Sequence, residues 1–410
     1  MLARLRELPA VDWALPAGPL RRGQDVLGEI ELIVAANDRL AVFDEVVRWP
    51  GCGRELSRSG HSLRVDLGGE EVGIRCPAPD RAGSTLLALT GSSIHFDGLR
   101  ALAAERGWML TADGLTRGLD TIAVSEAEIY AALELPFIPP EIREGPDALS
   151  AAMRNELPLL VERSDIRGDF HTHSCWSDGR DSIEAMVQGS IAHGYEYVAV
   201  TDHSQRAGAA RTLLLDDVGR QADEIAALRE AYPHIAILHG CEVDIMPDGR
   251  LDFDDRTLER FDIVLASLHD RAGQSPERLL ARYMDAMHHP LVSIVTHPSN
   301  RLVPYRRGYE IDYDRLFAGA VETDTILEID GGPSHLDLDS TLARRAIAAG
   351  VTVSIDSDAH RSAFLGRQMT LGLLTARRAW IGPQDVFNTR SLPEVQRHVR
   401  TKRNRPRTDA

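Results

Sequence analysis

The chain has 410 residues, enough for two domains, and its 43% hydrophobic and 26% charged content fits a soluble globular protein. A net charge of −16 argues against a broad nonspecific grip on nucleic acid. No apolar run approaches a membrane span or a signal-peptide core, so the expected location is the cytoplasm, with no membrane partner.

Four cysteines, Cys52, Cys76, Cys175 and Cys241, form no C-x-x-C pair and read as packed thiols in a reducing compartment. Lys402 is the only lysine, which leaves little room for Schiff-base chemistry.

Residues 1–160 form the first expected unit. In chain order it holds GPLRRG (18–23), the alternating GEIELIVAA (28–36), the strand-like VGIRCP (72–77) and LLALTGSSIHFDGLRALAAERG (86–107). The pattern is α+β. LPFIPPEIREGPDALS (135–150), rich in Pro and Glu, marks a boundary.

Seven runs of β-branched and apolar residues follow. They are GDFHTHS (168–174), YVAVTDHS (197–204), IAILHGCEVD (235–244), FDIVLASLHD (261–270), LVSIVTHPS (291–299), TILEIDGG (325–332) and VTVSIDSDAH (351–360). Helical patterns separate them, which predicts an α/β barrel of parallel strands over 165–390. Chemistry in such barrels gathers where the strands end, and here the runs end in histidines and carboxylates. The basic stretch 391–410 reads as a solvated tail.

His171 and His173, two apart on an extended segment, share a face. Asp178 follows in a turn, and later strand ends supply His203, Glu242, His269, His297, Asp358 and His360. Six imidazoles and three carboxylates suit Zn²⁺, Mn²⁺ or Fe²⁺, and are too many for one ion. Asp202, Asp270 and Asp356 neighbour these residues and are expected to orient imidazoles. His61, His193, His234, His239, His288, His289 and His398 are expected to be structural, and His335 stays open between the two roles.

The H-x-H opening, T-D-H, G-x-E, L-H, T-H-P and D-x-D-A-H motifs resemble those of the PHP (polymerase and histidinol phosphatase) family over about 165–390. The resemblance implies a distorted (β/α)7 barrel and three divalent metal ions. His171, His173, Glu242 and Asp358 would hold the first. Glu242, His269 and His297 would hold the second, and Asp178, His203 and His360 the third.

Residues 1–160 resemble the palm and thumb of bacterial family X DNA polymerases, whose PHP domain follows a linker similar to LPFIPPEIRE. The implied unit is a small nucleotidyltransferase-like α+β domain. GPLRRG resembles their G-S-L-R-R-G, and GEIEL their G-D-I-D-L strand with two metal-binding aspartates. The match departs where synthesis needs it. Glu29 and Glu31 replace the aspartates, and the longer side chain moves a carboxylate by about one C–C bond length. Gly73 stands at the third aspartate, with Asp66, Glu70 or Glu71 as alternatives. Pro19 replaces a phosphate-binding serine, and Ala88 and Leu89 replace a Tyr-Phe pair.

The expected function is metal-dependent hydrolysis of a phosphate ester. Glu242, His171 and Asp358 are expected at the reacting centre, and Arg206 and Arg301 as phosphate clamps. DNA 3′ ends are the first expected substrate, without polymerase activity. A small phosphate monoester, such as a histidinol-phosphate-like compound or a nucleotide, and a noncatalytic docking scaffold are the alternatives.

Overall fold

The computed structural model describes residues 1–269 and 273–405. It divides into two units, Met1–Pro158 and a second from Leu159 onward. In the first, the alternating segments become β1 (Val11–Pro16), β2 (Ile30–Ala36), β3 (Cys52–Arg58), β4 (Ser62–Leu67) and β5 (Glu70–Arg75). They form one sheet in the order β1-β2-β5-β4-β3, in which only the β2–β5 pair is parallel. Leu32, Val34, Phe43, Val65 and Ile74 build its core. Three short strands, β6 (Met109–Thr111), β7 (Gly114–Arg117) and β8 (Asp120–Ala123), form a separate antiparallel sheet beside the helix Ser93–Glu105.

The second unit contains β9 (Gly168–Asp169), β10 (Tyr197–Val200), β11 (Ala236–Asp244), β12 (Ile263–Ser267), β13 (Val292–Val295), β14 (Ile326–Asp330) and β15 (Val353–Asp356). The strands lie side by side in chain order, all parallel. Nearly every strand residue is buried, because strands covered on both faces read as continuous apolar runs. Crossover helices begin on Ser182, Ser275, Asp312 and Asp339, whose side chains accept the first free backbone N–H groups.

The ends of the sheet meet. Thr172 pairs with Ala359, Phe170 N donates to Asp356 Oδ1 at 2.7 Å, and Ser357 N donates to Asp169 Oδ1 at 3.1 Å. These bonds draw β9 against β15, so the expected distorted (β/α)7 barrel forms, with a first strand of only two residues.

Alternation along the strands divides two cores. Val198, Val200, Val264 and Ile355 pack in the cluster that includes the crossover helices. Tyr197, Ala199, Ile263, Leu265 and Ile326 belong to an inner cluster with Phe387, Val395 and Val399. Val395 and Val399 come from the helix Leu392–Arg403, so the stretch expected to be a solvated tail is, as far as residue 405, largely a helix under the barrel. The helix reaches the strand starts, opposite the histidines. Lys402, expected in solvent, is 1% exposed there, and its ammonium donates to Met287 O, Thr323 O and Thr325 Oγ1. No described helix is long and apolar enough to cross a membrane.

Candidate metal centre at the barrel mouth

Glu242 lies near the end of β11 and has no exposed side-chain surface. Its Oε2 is 2.6 Å from His203 Nδ1, 3.4 Å from His171 Nε2 and 3.7 Å from His173 Nε2. Its Oε1 is 2.9 Å from His297 Nε2 and 3.5 Å from His269 Nε2. One carboxylate therefore faces two groups of imidazoles delivered by different strands. Asp358 Oδ1 lies 3.0 Å from His173 Nε2 and 3.6 Å from His171 Nε2. Asp178 Oδ1 lies 3.2 Å from His360 Nε2 and 3.5 Å from His203 Nε2. All nine residues expected to ligate metal thus meet at one end of the barrel.

Oxygen acceptors fix several rings. His171 Nδ1 lies 2.7 Å from Glu328 Oε1, His269 Nδ1 2.8 Å from Asp244 Oδ1, and His360 Nδ1 3.0 Å from the Asp358 carbonyl. Each bond has Nδ1–H as the donor, fixes the ring plane and turns Nε2 toward the carboxylates.

Burial drives the charges of this cluster one way and its partners drive them the other. Burial raises the pKa of Glu242, but His203, His171 and His269 bring it well below the carboxylate range. Asp178 falls to about 2 as His360 and His203 outweigh burial. His173 drops to about 3 through burial and the positive charge of His360 and His203. For the carboxyls of Asp330 and Asp358, burial with the Asp358 charge pushes Asp330 well up, while imidazoles hold Asp358 well down.

The donor set fits divalent cations. Asp178 Oδ1, Glu242 Oε2 and Asp358 Oδ1 are buried with no group in hydrogen-bonding geometry. An unsatisfied buried carboxylate oxygen is costly, and a cation shared with neutral imidazoles removes that cost. Three sets bring one ligand atom from each member within 4.8 Å of the others: His171, His173 and Glu242; His203, Glu242 and His269; and His173, Asp178, His203 and His360. His203 and His173 thus each join two sets, a finer sharing than the resemblance implies. A fourth set is Asp330, His335 and Asp358.

Four residues of this mouth were missed in the sequence or left open. Glu328 and Asp330 sit at i, i+2 at the end of β14, the spacing that identified His171 and His173, and that signal marks them too. Asp244 follows Glu242 in the same way. His335 stacks on His297 with ring centres 5.2 Å apart and is pushed down to about 4, by burial first and His297 second.

Two carboxylates have other duties than the expected one of orienting imidazoles. Asp202 accepts from Ser174 N and Oγ, Ser177 N and Oγ, and Gln221 Nε2, so it pins the loop that leads to Asp178. Asp356 accepts from Phe170 N and joins the first and last strands. Asp270 lies outside the described residues. Arg206 pairs with Asp252 at 3.6 Å. Arg301 Nε donates to His335 O and Leu336 O at 3.0 and 2.9 Å, bracing the loop that carries His335.

In the first unit, β2 and β5 place Glu31 opposite Gly73. Glu31 pairs with Arg64 at 2.7 Å and Arg75 at 3.0 Å, and Glu29 lies 3.8 Å from Arg64. Asp66 closes a turn by accepting from Gly69 N, and Glu71 pairs with Arg64 at 2.6 Å. Arg21 of the GPLRRG segment makes a two-pronged pair with Glu126 at 2.8 and 2.7 Å. Glu29, Glu31 and Glu71 thus face arginines of their own sheet, and Arg21 is held by Glu126.

Fold and mouth together define a phosphoesterase hydrolase built on a parallel barrel. The PHP domain model matches residues 169–323, and the DNA polymerase beta thumb model matches residues 85–144. The DNA polymerase/3′-5′ exonuclease PolX of Bacillus subtilis (strain 168) is 36% identical over 387 residues, covering 93% of this chain and 67% of that protein. The chain belongs to this family, the PolX-type family X polymerases that carry a PHP domain. A probable phosphatase of Thermoanaerobacter sp. (strain X514) is 28% identical over 252 residues, 58% of this chain and 96% of that protein. Among solved structures, the histidinol phosphate phosphatase of Lactococcus lactis subsp. lactis, complexed with zinc, L-histidinol and phosphate, is 16% identical with a TM-score of 0.38. It covers 52% of this chain and 93% of its own.

Proposed function

We propose that the barrel is a metal-dependent phosphoesterase acting on DNA 3′ ends, and that the first unit does not transfer nucleotides. The observation that carries the hydrolytic reading is Glu242, whose two oxygens face separate sets of imidazoles. Three divalent ions, zinc, manganese or iron, are the proposed complement. His171, His173, Glu242 and Asp358 would hold one, Glu242, His269 and His297 a second, and Asp178, His203 and His360 a third. Bound there, the ions supply an acidified water for in-line attack on phosphorus and positive charge for the phosphoryl oxygens.

The chain's own residues set up that chemistry. Glu328, Asp244 and the Asp358 carbonyl fix the protons of three imidazoles on Nδ1. Asp202 holds the loop that delivers Asp178. Arg301 steadies the loop of His335 through its carbonyls, so its proposed effect on phosphate passes through that loop.

The exonuclease named in the Bacillus subtilis relative favours DNA. A small phosphate monoester is the second reading, favoured by a relative named as a phosphatase that matches the chain along nearly all of its own length. One assay separates them. Purified protein with Mn²⁺ or Zn²⁺ is offered 3′-tailed DNA, 3′-phosphate DNA and small phosphate monoesters. Preference for the DNA ends supports the first reading, and hydrolysis of monoesters alone overturns it.

A further inference from the structure

We propose that Tyr305 is a stacking platform for an unpaired nucleobase at the rim of the barrel mouth. The proposal rests on the DNA-end reading and specifies how the substrate is gripped beyond the reacting phosphate.

Tyr305 is 90% exposed, twice as much as the next described aromatic, Phe137 at 45%. Its face is open for another planar group to stack on. The backbone that presents it is well secured. Leu302 and Arg306 pair across a tight turn, with Leu302 N donating to Arg306 O at 2.9 Å and Arg306 N to Leu302 O at 2.6 Å. Arg306 Nε donates to Asn300 O at 3.0 Å, and Asn300 Nδ2 donates to Leu268 O at 2.8 Å. Val303 N donates to Ser334 O at 2.7 Å, which ties the turn to the loop of His335. The backbone of such a turn has little conformational freedom to lose on binding.

Position and charge select the partner. The turn begins just past His297, on the same end of the barrel as the imidazoles. Arg306 and the exposed Arg307 directly follow Tyr305, a local positive run in a chain of net charge −16. An aromatic face beside arginines suits a base and its phosphate, and stacking of this kind tolerates any base. A monoester without a base, such as a chromogenic phosphate, has nothing to stack on the rim. A polynucleotide whose end enters the mouth must pass over it.

The test uses the full chain with Mn²⁺ and 3′-tailed DNA carrying one abasic residue at successive positions near the end. Wild type, Tyr305→Ala and Tyr305→Phe are compared for KM and kcat, with a chromogenic phosphate monoester as the folding control. One abasic position is expected to raise the wild-type KM roughly five- to a hundredfold. Tyr305→Ala should show that same rise on intact DNA, be indifferent to the abasic residue and hydrolyse the monoester normally. Tyr305→Phe should behave as wild type. If Tyr305→Ala cleaves intact DNA with a wild-type KM, the stacking proposal is overturned while the DNA-end reading stands. If wild type hydrolyses the monoester but no DNA, both are overturned.

Discussion

Glu328 Oε1 lies 2.7 Å from His171 Nδ1, and both side chains are closed to solvent. Glu328 also accepts from His297 N at 2.8 Å, so one carboxylate on β14 orients groups from two other strands. Glu328→Ala is therefore expected to weaken metal binding roughly 10- to 100-fold. Titrating metal-free protein with Mn²⁺ while following hydrolysis reads the effect, and activity should return at high metal. Unchanged affinity would remove Glu328 from the site.

Elemental analysis of metal-replete protein is expected to find about three ions per chain, the number that the nine proposed ligands, with Glu242 shared, would hold. Glu242→Ala should abolish hydrolysis, because its carboxylate is the one placed between the imidazole groups. Near-normal kcat in that variant would refute the assignment.

No template-dependent primer extension is expected with dNTPs and Mg²⁺ or Mn²⁺. A side chain at residue 73 would meet the Glu31 carboxylate and press it against the Arg64 and Arg75 pairs that hold it. Gly73→Asp should accordingly fail to create polymerase activity and should destabilise the first unit by about 1–3 kcal/mol. Extension by wild type that is lost in Glu29→Ala/Glu31→Ala would show that the palm still works.

His95 sets an acid limit on the first unit. It is fully buried with Nε2 2.9 Å from Tyr130 Oη, and burial, reinforced by Arg143 and Arg22, lowers its pKa to about 3. The unfolded chain takes up a proton near pH 6.5 that the folded chain refuses. Its contribution to stability is intact above pH 6.5, falls as pH drops toward 3, and levels below that. Urea midpoints between pH 7 and pH 4 should fall less steeply in His95→Gln than in wild type. Identical slopes would dismiss this role.

All the ligands but Asp178, which follows in a turn, were legible because each stands at the end of an apolar run, where period-2 geometry and the parallel barrel leave a side chain one place to go. Glu328 and Asp330 carry the same signal at the end of TILEIDGG, though the expected ligand set does not include them. The duties of Asp202 and Asp356 were not legible. Which neighbour a buried carboxylate meets depends on loops and strands far away in the chain, as in the 2.7 Å bond from Phe170 N to Asp356. The helix Leu392–Arg403 was obscured by its arginines. Val395, Val399 and Lys402 nevertheless fall at i, i+4, i+7, a helical stripe hidden by the local charge.

That helix also imposes an order on synthesis. It follows every barrel strand in the chain, so all seven strands are synthesised before Val395 and Val399, which help cover Tyr197, Ile263 and Ile326. Until then a nascent barrel has its ligands assembled at one end and an open apolar tube at the other. A chain cut before residue 392 would keep that tube open, with Tyr197, Ile263 and Ile326 less covered.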